Sequence, residues 1–247
     1  MRVIILGYYG GYPTRDTGTS SYLLESEGYH LLLDAGSGSL LALEHHLDPL
    51  ELDSVLLTHY HHDHIADLGV LQFTRQLKRD EDGNRASILP IYGHSDDKQS
   101  FLKTTMDEVS QGIDYTKEKQ ISIGPFDILH LKTLHPVPCY AFRIIERKTG
   151  KVMVFTADSG FIEELIPLAE NADLLIADSN FFKGMENHSV HMTSKECGRI
   201  ANKANVKTLV LSHLPQKGDL QKLRREAAEE APKTKTILAE KNLELIV

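Results

Sequence analysis

Apolar runs too short for helices recur along the chain, separated by polar or turn-forming stretches. "RVIIL", "SYLLE", "HLLLD", "SVLLT", "ILPIY", "FDILHL", "CYAFRII", "KVMVFTA", "DLLIA", "KTLVL", "KTILA" and "LELIV" have the length and branched content of strands. Amphipathic stretches at 64–78, 95–109, 161–170, 193–204 and 219–230 predict helices between them. In "MTSKECGRIANKA" the capping-box spacing of Thr193 and Glu196 marks a helix start. Strands come in hairpin-like sets early and in the middle, and alternate with helices later. That order predicts an α/β layered protein with mixed sheets. "DEDGNRAS" at 80–87 reads as one polar loop, too short to separate domains, so 1–247 reads as a single domain.

Composition narrows the class. Hydrophobic content of 41% with 25% charged residues is ordinary for a globular chain of 247 residues. No window approaches the roughly 18 apolar residues of a membrane span, and the first run reads as a buried strand rather than a leader, so a soluble, cytoplasmic protein is expected. Cys139 and Cys197 lie outside any C-x-x-C arrangement and read as reduced, structural residues. A net charge of −8 argues against a protein that tracks a nucleic-acid backbone. The basic "RKTGK" falls at an expected hairpin turn, and "KLRREAAEE" is a mixed-charge helix face.

Chemistry concentrates in "LLTHYHHDHIADL", residues 56–68, which sets His59, His61, His62, Asp63 and His64 side by side. Imidazole and carboxylate are ligands for divalent transition metals. In an extended segment His59 and His61 point the same way, and at the following helical turn Asp63 and His64 diverge by about 100°, toward a neighbouring ion. Other strands also end in such residues: "KVMVFTA" in Asp158, "ADLLIA" in Asp178 and "VKTLVLS" in His213. Sites in layered α/β proteins gather beyond strand ends. Two metals with open positions for water need about seven protein ligands; His59, His61, Asp63, His64, Asp158 and His213 make six, and "TLHPVPCYAFRI" offers His135 as the seventh. His30, His45, His46, His62, His94 and His130 read as ordinary surface or second-layer residues.

"HYHHDH", "LHPVP", "FTADSG" and "LSHLP" together resemble the metal-binding motifs of the metallo-β-lactamase superfamily. "LGYYGGYPT", "GTSSYLL", "LLLDAGSG" and "HMTSKECGRIANKANVKTLVLSHL" are most similar to its ribonuclease Z and phosphodiesterase branch. The resemblance covers nearly the whole chain and implies a four-layer αββα sandwich. It implies that His59, His61 and His135 hold one zinc and that Asp63, His64 and His213 hold the other. Asp158 would bridge the two, with a water or hydroxide between the ions. Manganese or iron would suit the same ligands. Asp34 and Asp67 are candidates to orient ligand imidazoles, with a cap or turn role as the alternative for each.

The branch implies phosphodiester hydrolysis, with Asp63 taking the water's proton. His191 in "HMTS" would be the acid for the leaving oxygen, although Asp178 stands where the branch has Glu. The long tRNA-gripping arm of ribonuclease Z has no counterpart here, so a small phosphodiester, either a cyclic nucleotide or a short nucleotide end, is the expected substrate and partner. The alternatives are a thioester or lactone hydrolase, a tRNA 3′-processing endonuclease, or a metal-binding sensor without turnover. The resemblance leaves a homodimer open.

Overall fold

The computed structural model describes all of residues 1–247. Its contacts divide the chain into two compact units. Unit one gathers Met1–Gly7, Gly11–Lys119 and Lys241–Ile246, and unit two gathers Tyr8–Gly10, Gln120–Glu240 and Val247.

The chain opens with β1 (Arg2–Tyr9), β2 (Gly18–Thr19), β3 (Ser21–Ser26), β4 (Tyr29–Leu33), β5 (Ser54–Leu56), β6 (Leu89–Gly93) and β7 (Ser110–Asp114). The helices of this part are α1 (Ser39–Leu43), α2 (His62–Ile65), α3 (Leu68–Leu77) and α4 (Lys98–Leu102). Unit two carries β8 (Gln120–Ile123), β9 (Phe126–Lys132), β10 (Tyr140–Glu146), β11 (Val152–Phe155), β12 (Leu174–Asp178), β13 (Thr208–Ser212) and β14 (Lys235–Leu238). Its helices are α5 (Leu165–Leu168), α6 (Ser194–Lys203) and α7 (Leu220–Glu230), and the last strand, β15 (Glu244–Ile246), returns to unit one.

Each unit is built on a mixed sheet. In unit one the order is β15-β1-β3-β4-β5-β6-β7 with β2 beside β1, and the strands from β4 to β7 are parallel. In unit two the order is β14-β13-β12-β11-β10-β9-β8, parallel from β11 to β14 and antiparallel elsewhere. Helices cover one face of each sheet. Ala42 and Leu43 of α1 and Leu68 and Leu71 of α3 bury against Ile4, Leu6, Leu23 and Val55. Cys197, Ile200 and Ala201 of α6 and Leu223 and Ala227 of α7 bury against Leu175, Leu209 and Leu211. The hydrophobic effect thus holds each helix layer on its own sheet and frees the strand ends for polar work.

Two helices are shorter than the amphipathic pattern predicts. Within 95–109 only Lys98–Leu102 is helical, because Thr104 and Thr105 turn their hydroxyls to backbone groups: Oγ1 of Thr104 donates to the Phe101 carbonyl at 2.6 Å, and the Gly112 N–H donates to Thr105 Oγ1 at 3.0 Å. Within 161–170 the helix is Leu165–Leu168, with Pro167 inside it. Strand β7, "SQGID", has too few apolar residues to stand out in the sequence, and helix α1, "SLLAL", is apolar but too short to show a helical period. On α3, Val70, Phe73 and Leu77 are 54%, 57% and 73% exposed and leave an apolar stripe. No helix is long and apolar enough to cross a membrane. Cys139 and Cys197 are free thiols, both buried.

Candidate metal centre

In unit one the polar side chains gather at the carboxyl ends of the parallel strands β4 and β5. Asp34 follows β4 in a left-handed conformation, φ 57°, and is fully buried. A non-glycine residue keeps such a conformation only where its surroundings fix it. Here they do: Asp34 Oδ1 accepts the Thr58 N–H at 2.8 Å, and Oδ2 accepts the Thr58 hydroxyl at 2.9 Å and His64 Nδ1 at 2.7 Å. Burial pushes the Asp34 carboxyl above its ordinary range, and His64 and the Thr58 donors pull against that.

These bonds set tautomers. With its proton given to Asp34, the Thr58 hydroxyl accepts from His59 Nδ1 at 3.0 Å, so His59 and His64 both present Nε2 as a lone pair. His59 Nε2 lies 3.1 Å from His61 Nδ1, and His64 Nε2 lies 3.6 Å from Asp63 Oδ2. Two ligands on one tetrahedral ion with bonds of about 2.0 to 2.1 Å stand about 3.3 Å apart, so both pairs have the spacing of atoms sharing a cation. The Gly11 N–H donates to Asp63 Oδ2 at 2.7 Å and holds that carboxylate in place. His62, in the same string, is exposed. Asp67 turns elsewhere and accepts the Leu40 N–H at 3.0 Å, the cap-like alternative rather than a hold on an imidazole.

Unit two builds its own set beyond the ends of β9, β11, β12 and β13. Ala157, two residues beyond β11, and His213, directly after β13, are left-handed at φ 52° and 51°, so this rim also carries enforced backbone. Asp158 turns one oxygen to each of two imidazoles: Oδ1 is 3.3 Å from His213 Nε2, and Oδ2 is 3.8 Å from His135 Nε2. His135 donates Nδ1–H to the Val190 carbonyl at 3.1 Å, which again leaves Nε2 as the lone pair. Gly10 lies flat against the His213 ring, where a β-carbon would come within 2.5 Å of Cε1. The Asn180 amide donates to the His213 carbonyl at 2.9 Å.

The shorter carboxylate at position 178 does reach its histidine. His191 Nδ1 lies 2.8 Å from Asp178 Oδ2, which also accepts the Ser159 N–H at 3.1 Å, while Asp178 Oδ1 lies 3.4 Å from His213 Nδ1. The carboxylate thereby orients His191 and sets a negative charge beside His213. The loop is pinned by the capping box of α6, in which Thr193 Oγ1 accepts the Glu196 N–H and Glu196 accepts the Thr193 N–H at 2.8 Å. The Phe181 N–H donates to the Met192 carbonyl at 3.1 Å, and the Ser194 N–H returns to the Phe181 carbonyl at 2.9 Å. Together they lay His191 alongside the end of β12. Ligand atoms of Asp158, Asp178, His191 and His213 all lie within 4.8 Å of one another. Cys197 donates its thiol proton to the Asp178 carbonyl at 3.0 Å, and burial pushes that thiol up, so it supports the loop and offers no thiolate.

The donors are therefore imidazole nitrogens and carboxylate oxygens at cation-sharing distances, with protonated Nδ1 atoms held by carboxylate, hydroxyl or carbonyl. That set fits divalent metals of the zinc type. Residues 29–214 match the family model of the Beta-lactamase superfamily domain. The chain belongs to the metallo-β-lactamase superfamily. It is 44% identical over 228 residues, 92% of each chain, to the probable metallo-hydrolase YhfI of Bacillus subtilis. The crystal structure of the metallo-β-lactamase fold protein YhfI superposes with a TM-score of 0.92 at 41% identity, over 99% of this chain and 98% of that one. Ribonuclease Z of Methanopyrus kandleri is 29% identical over 92% of this chain and 91% of its own. The α/β class and the superfamily resemblance read from the sequence agree with these findings.

Three features of the site were not read from the sequence. Thr58 couples Asp34 to His59, Gly10 and Gly11 contact His213 and Asp63, and Asp178 serves His213 as well as His191. Only the glycine pair left a trace, as part of the "LGYYGGYPT" motif.

Proposed function

We propose that this member of a metallo-hydrolase family is a phosphodiesterase that holds two divalent metal ions and acts on a small phosphodiester, a cyclic nucleotide or a short nucleotide end. His59, His61 and His135 hold one ion in this reading, Asp63, His64 and His213 the other, and Asp158 both. Zinc is the first expectation. Such ions supply water activated near neutral pH and neutralise the charge of the phosphate. Asp63, fixed by the Gly11 N–H, accepts the proton of the attacking water. His191, held by Asp178, protonates the departing oxygen.

The observation that carries the phosphodiester reading is the 2.8 Å contact of His191 with Asp178 beside His213. Hydrolysis of an alkoxide-releasing ester gains from a positioned acid. A thioester releases a thiolate that needs no such proton, so thioesterase chemistry would leave His191 without work. The relationship to ribonuclease Z supports the same class of bond, and the acidic chain supports a small substrate.

Rates of His191→Ala and wild type on a phosphodiester with an alkyl leaving group and on a thioester separate the two. A loss of about 10² to 10⁴ confined to the phosphodiester is expected. An unchanged phosphodiester rate at unchanged metal content would remove the acid, and a thioester rate exceeding the phosphodiester rate would favour the second reading.

A further inference from the structure

Beside the His135 and His191 edge of unit two lies a set of apolar surfaces that the hydrolytic chemistry does not use. The Phe181 ring stands nearly perpendicular to two imidazoles, with centroids 4.7 Å from His188 and 5.8 Å from His191. Leu134, next to His135, is 43% exposed. Its backbone bridges to Gly160, and a β-carbon at Gly160 would run into both the His188 carbonyl and the Leu134 side chain, so the three positions adjoin. Phe181 itself is only partly buried, although its backbone is pinned on both sides by the Met192 and Ser194 bonds. The His188 ring is anchored as well, since its Nδ1 accepts the Val190 N–H at 3.2 Å.

An aromatic ring held by its backbone, partly open to solvent and edge-on to an anchored imidazole whose backbone adjoins an exposed leucine, has no evident role in the fold. The helix-covered core of the unit is built from other residues, on α6, α7 and the sheet beneath them. The Phe181 ring stands beside His191, the residue proposed to protonate the departing oxygen. Planar rings bind such surfaces by stacking and by edge-to-face contact, and every nucleobase has a suitable face.

We propose that Phe181, His188 and Leu134 form a shelf that binds a planar ring, most simply a nucleobase, on the leaving-group side of the scissile bond. This rests on the phosphodiesterase reading for its place in the reaction, but not for the binding itself. It makes the preferred substrate a nucleotide rather than a glycerol or sugar phosphodiester.

The test pairs turnover with binding. KM is measured for a dinucleoside monophosphate and for glycerophosphoethanolamine with wild type, Phe181→Ala and Phe181→Tyr. Calorimetry of the metal-loaded proteins then measures adenosine 5′-monophosphate against ribose 5-phosphate. Phe181→Ala is expected to raise KM for the dinucleoside about tenfold, and by twofold at most for the glycerol ester, with Phe181→Tyr restoring the difference. Binding of adenosine 5′-monophosphate should weaken by the same factor, and ribose 5-phosphate should not follow it. Equal changes for ring-bearing and ring-free ligands, or a wild type with no preference for the nucleotide, would overturn the shelf. A wild type that cleaves neither ester but binds the nucleotide in a Phe181-dependent way would sink the phosphodiesterase reading and leave the shelf standing.

Discussion

The two units solve one problem in two ways. Unit one writes its donors as a single string between His59 and His64 and steadies them through one buried hub, Asp34 with Thr58. Unit two draws His135, Asp158 and His213 from separate strand ends and steadies them through loops: the Val190 carbonyl, Asp178 and the close face of Gly10. In both, the donors lie beyond the carboxyl ends of strands, where the sheet's own hydrogen bonding stops and side chains can converge; all of these strands are parallel except β9, which precedes His135. A local string needs one deep brace, whereas scattered donors need one brace each. Damage to the hub should therefore disable a whole rim at once, and damage to a loop brace should act on one ligand.

The largest effect is expected at Asp158, whose two oxygens face two imidazoles. Asp158→Ala should lower phosphodiester turnover about 10³-fold or more and bring metal content below one ion per chain, read by elemental analysis. Retention of both ions would show that this carboxylate does not serve two of them.

Next comes the hub. Asp34→Asn keeps the side chain's shape but weakens the acceptor for His64 Nδ1, and metal affinity should fall about 10- to 100-fold in a chelator competition. Thr58→Val cuts the link to His59 and leaves Asp34 short of one donor. It should weaken metal binding by about tenfold and cost about 1 to 3 kcal/mol in denaturant unfolding. A Thr58→Val protein with native affinity would mean that His59 needs no brace, and the contrast between the rims would lose its basis.

The smallest effect lies at the opposite ends of the same strands. Asp173, just before β12, takes Lys207 at 2.7 Å, Lys151 at 3.0 Å and the Val152 N–H at 3.0 Å, which together outweigh burial and pull its carboxyl down to about 2. A carboxyl lowered in the fold stabilises above its unfolded value near 3.8, and that gain fades as pH falls through about 2. Asp173→Asn should cost about 1 kcal/mol at neutral pH, since solvent screens the lysines, with the difference closing between about pH 4 and 2 and metal content untouched.

The same contrast explains what the sequence discloses. The string from His59 to His64 is legible by itself because its spacing, strand then helical turn, is local geometry. His135, Asp158 and His213 are visible only as polar residues after apolar runs, and their meeting depends on strand order, which the superfamily resemblance supplies and periodicity does not. Whether Asp178 could reach His191 turned on a loop laid down by the α6 capping box and the Phe181 bridge. The box is written in Thr193 and Glu196, but the bridge is backbone bonding with no residue signature. The short α4 escaped for a related reason, since Thr104 and Thr105 fit an amphipathic helix and yet bond to nearby backbone instead.

The central proposal is that the donors of unit one and the donors of unit two are each required for metal-dependent hydrolysis. Its most direct test is hydrolysis of bis(p-nitrophenyl) phosphate by wild type, Asp63→Ala from unit one and His213→Ala from unit two, with bound metal counted on each preparation. The account expects about two ions and metal-dependent turnover in the wild type, and loss of turnover with loss of metal in both variants. Full turnover in either variant, or two tightly held ions in a wild type that hydrolyses no phosphodiester, would contradict it.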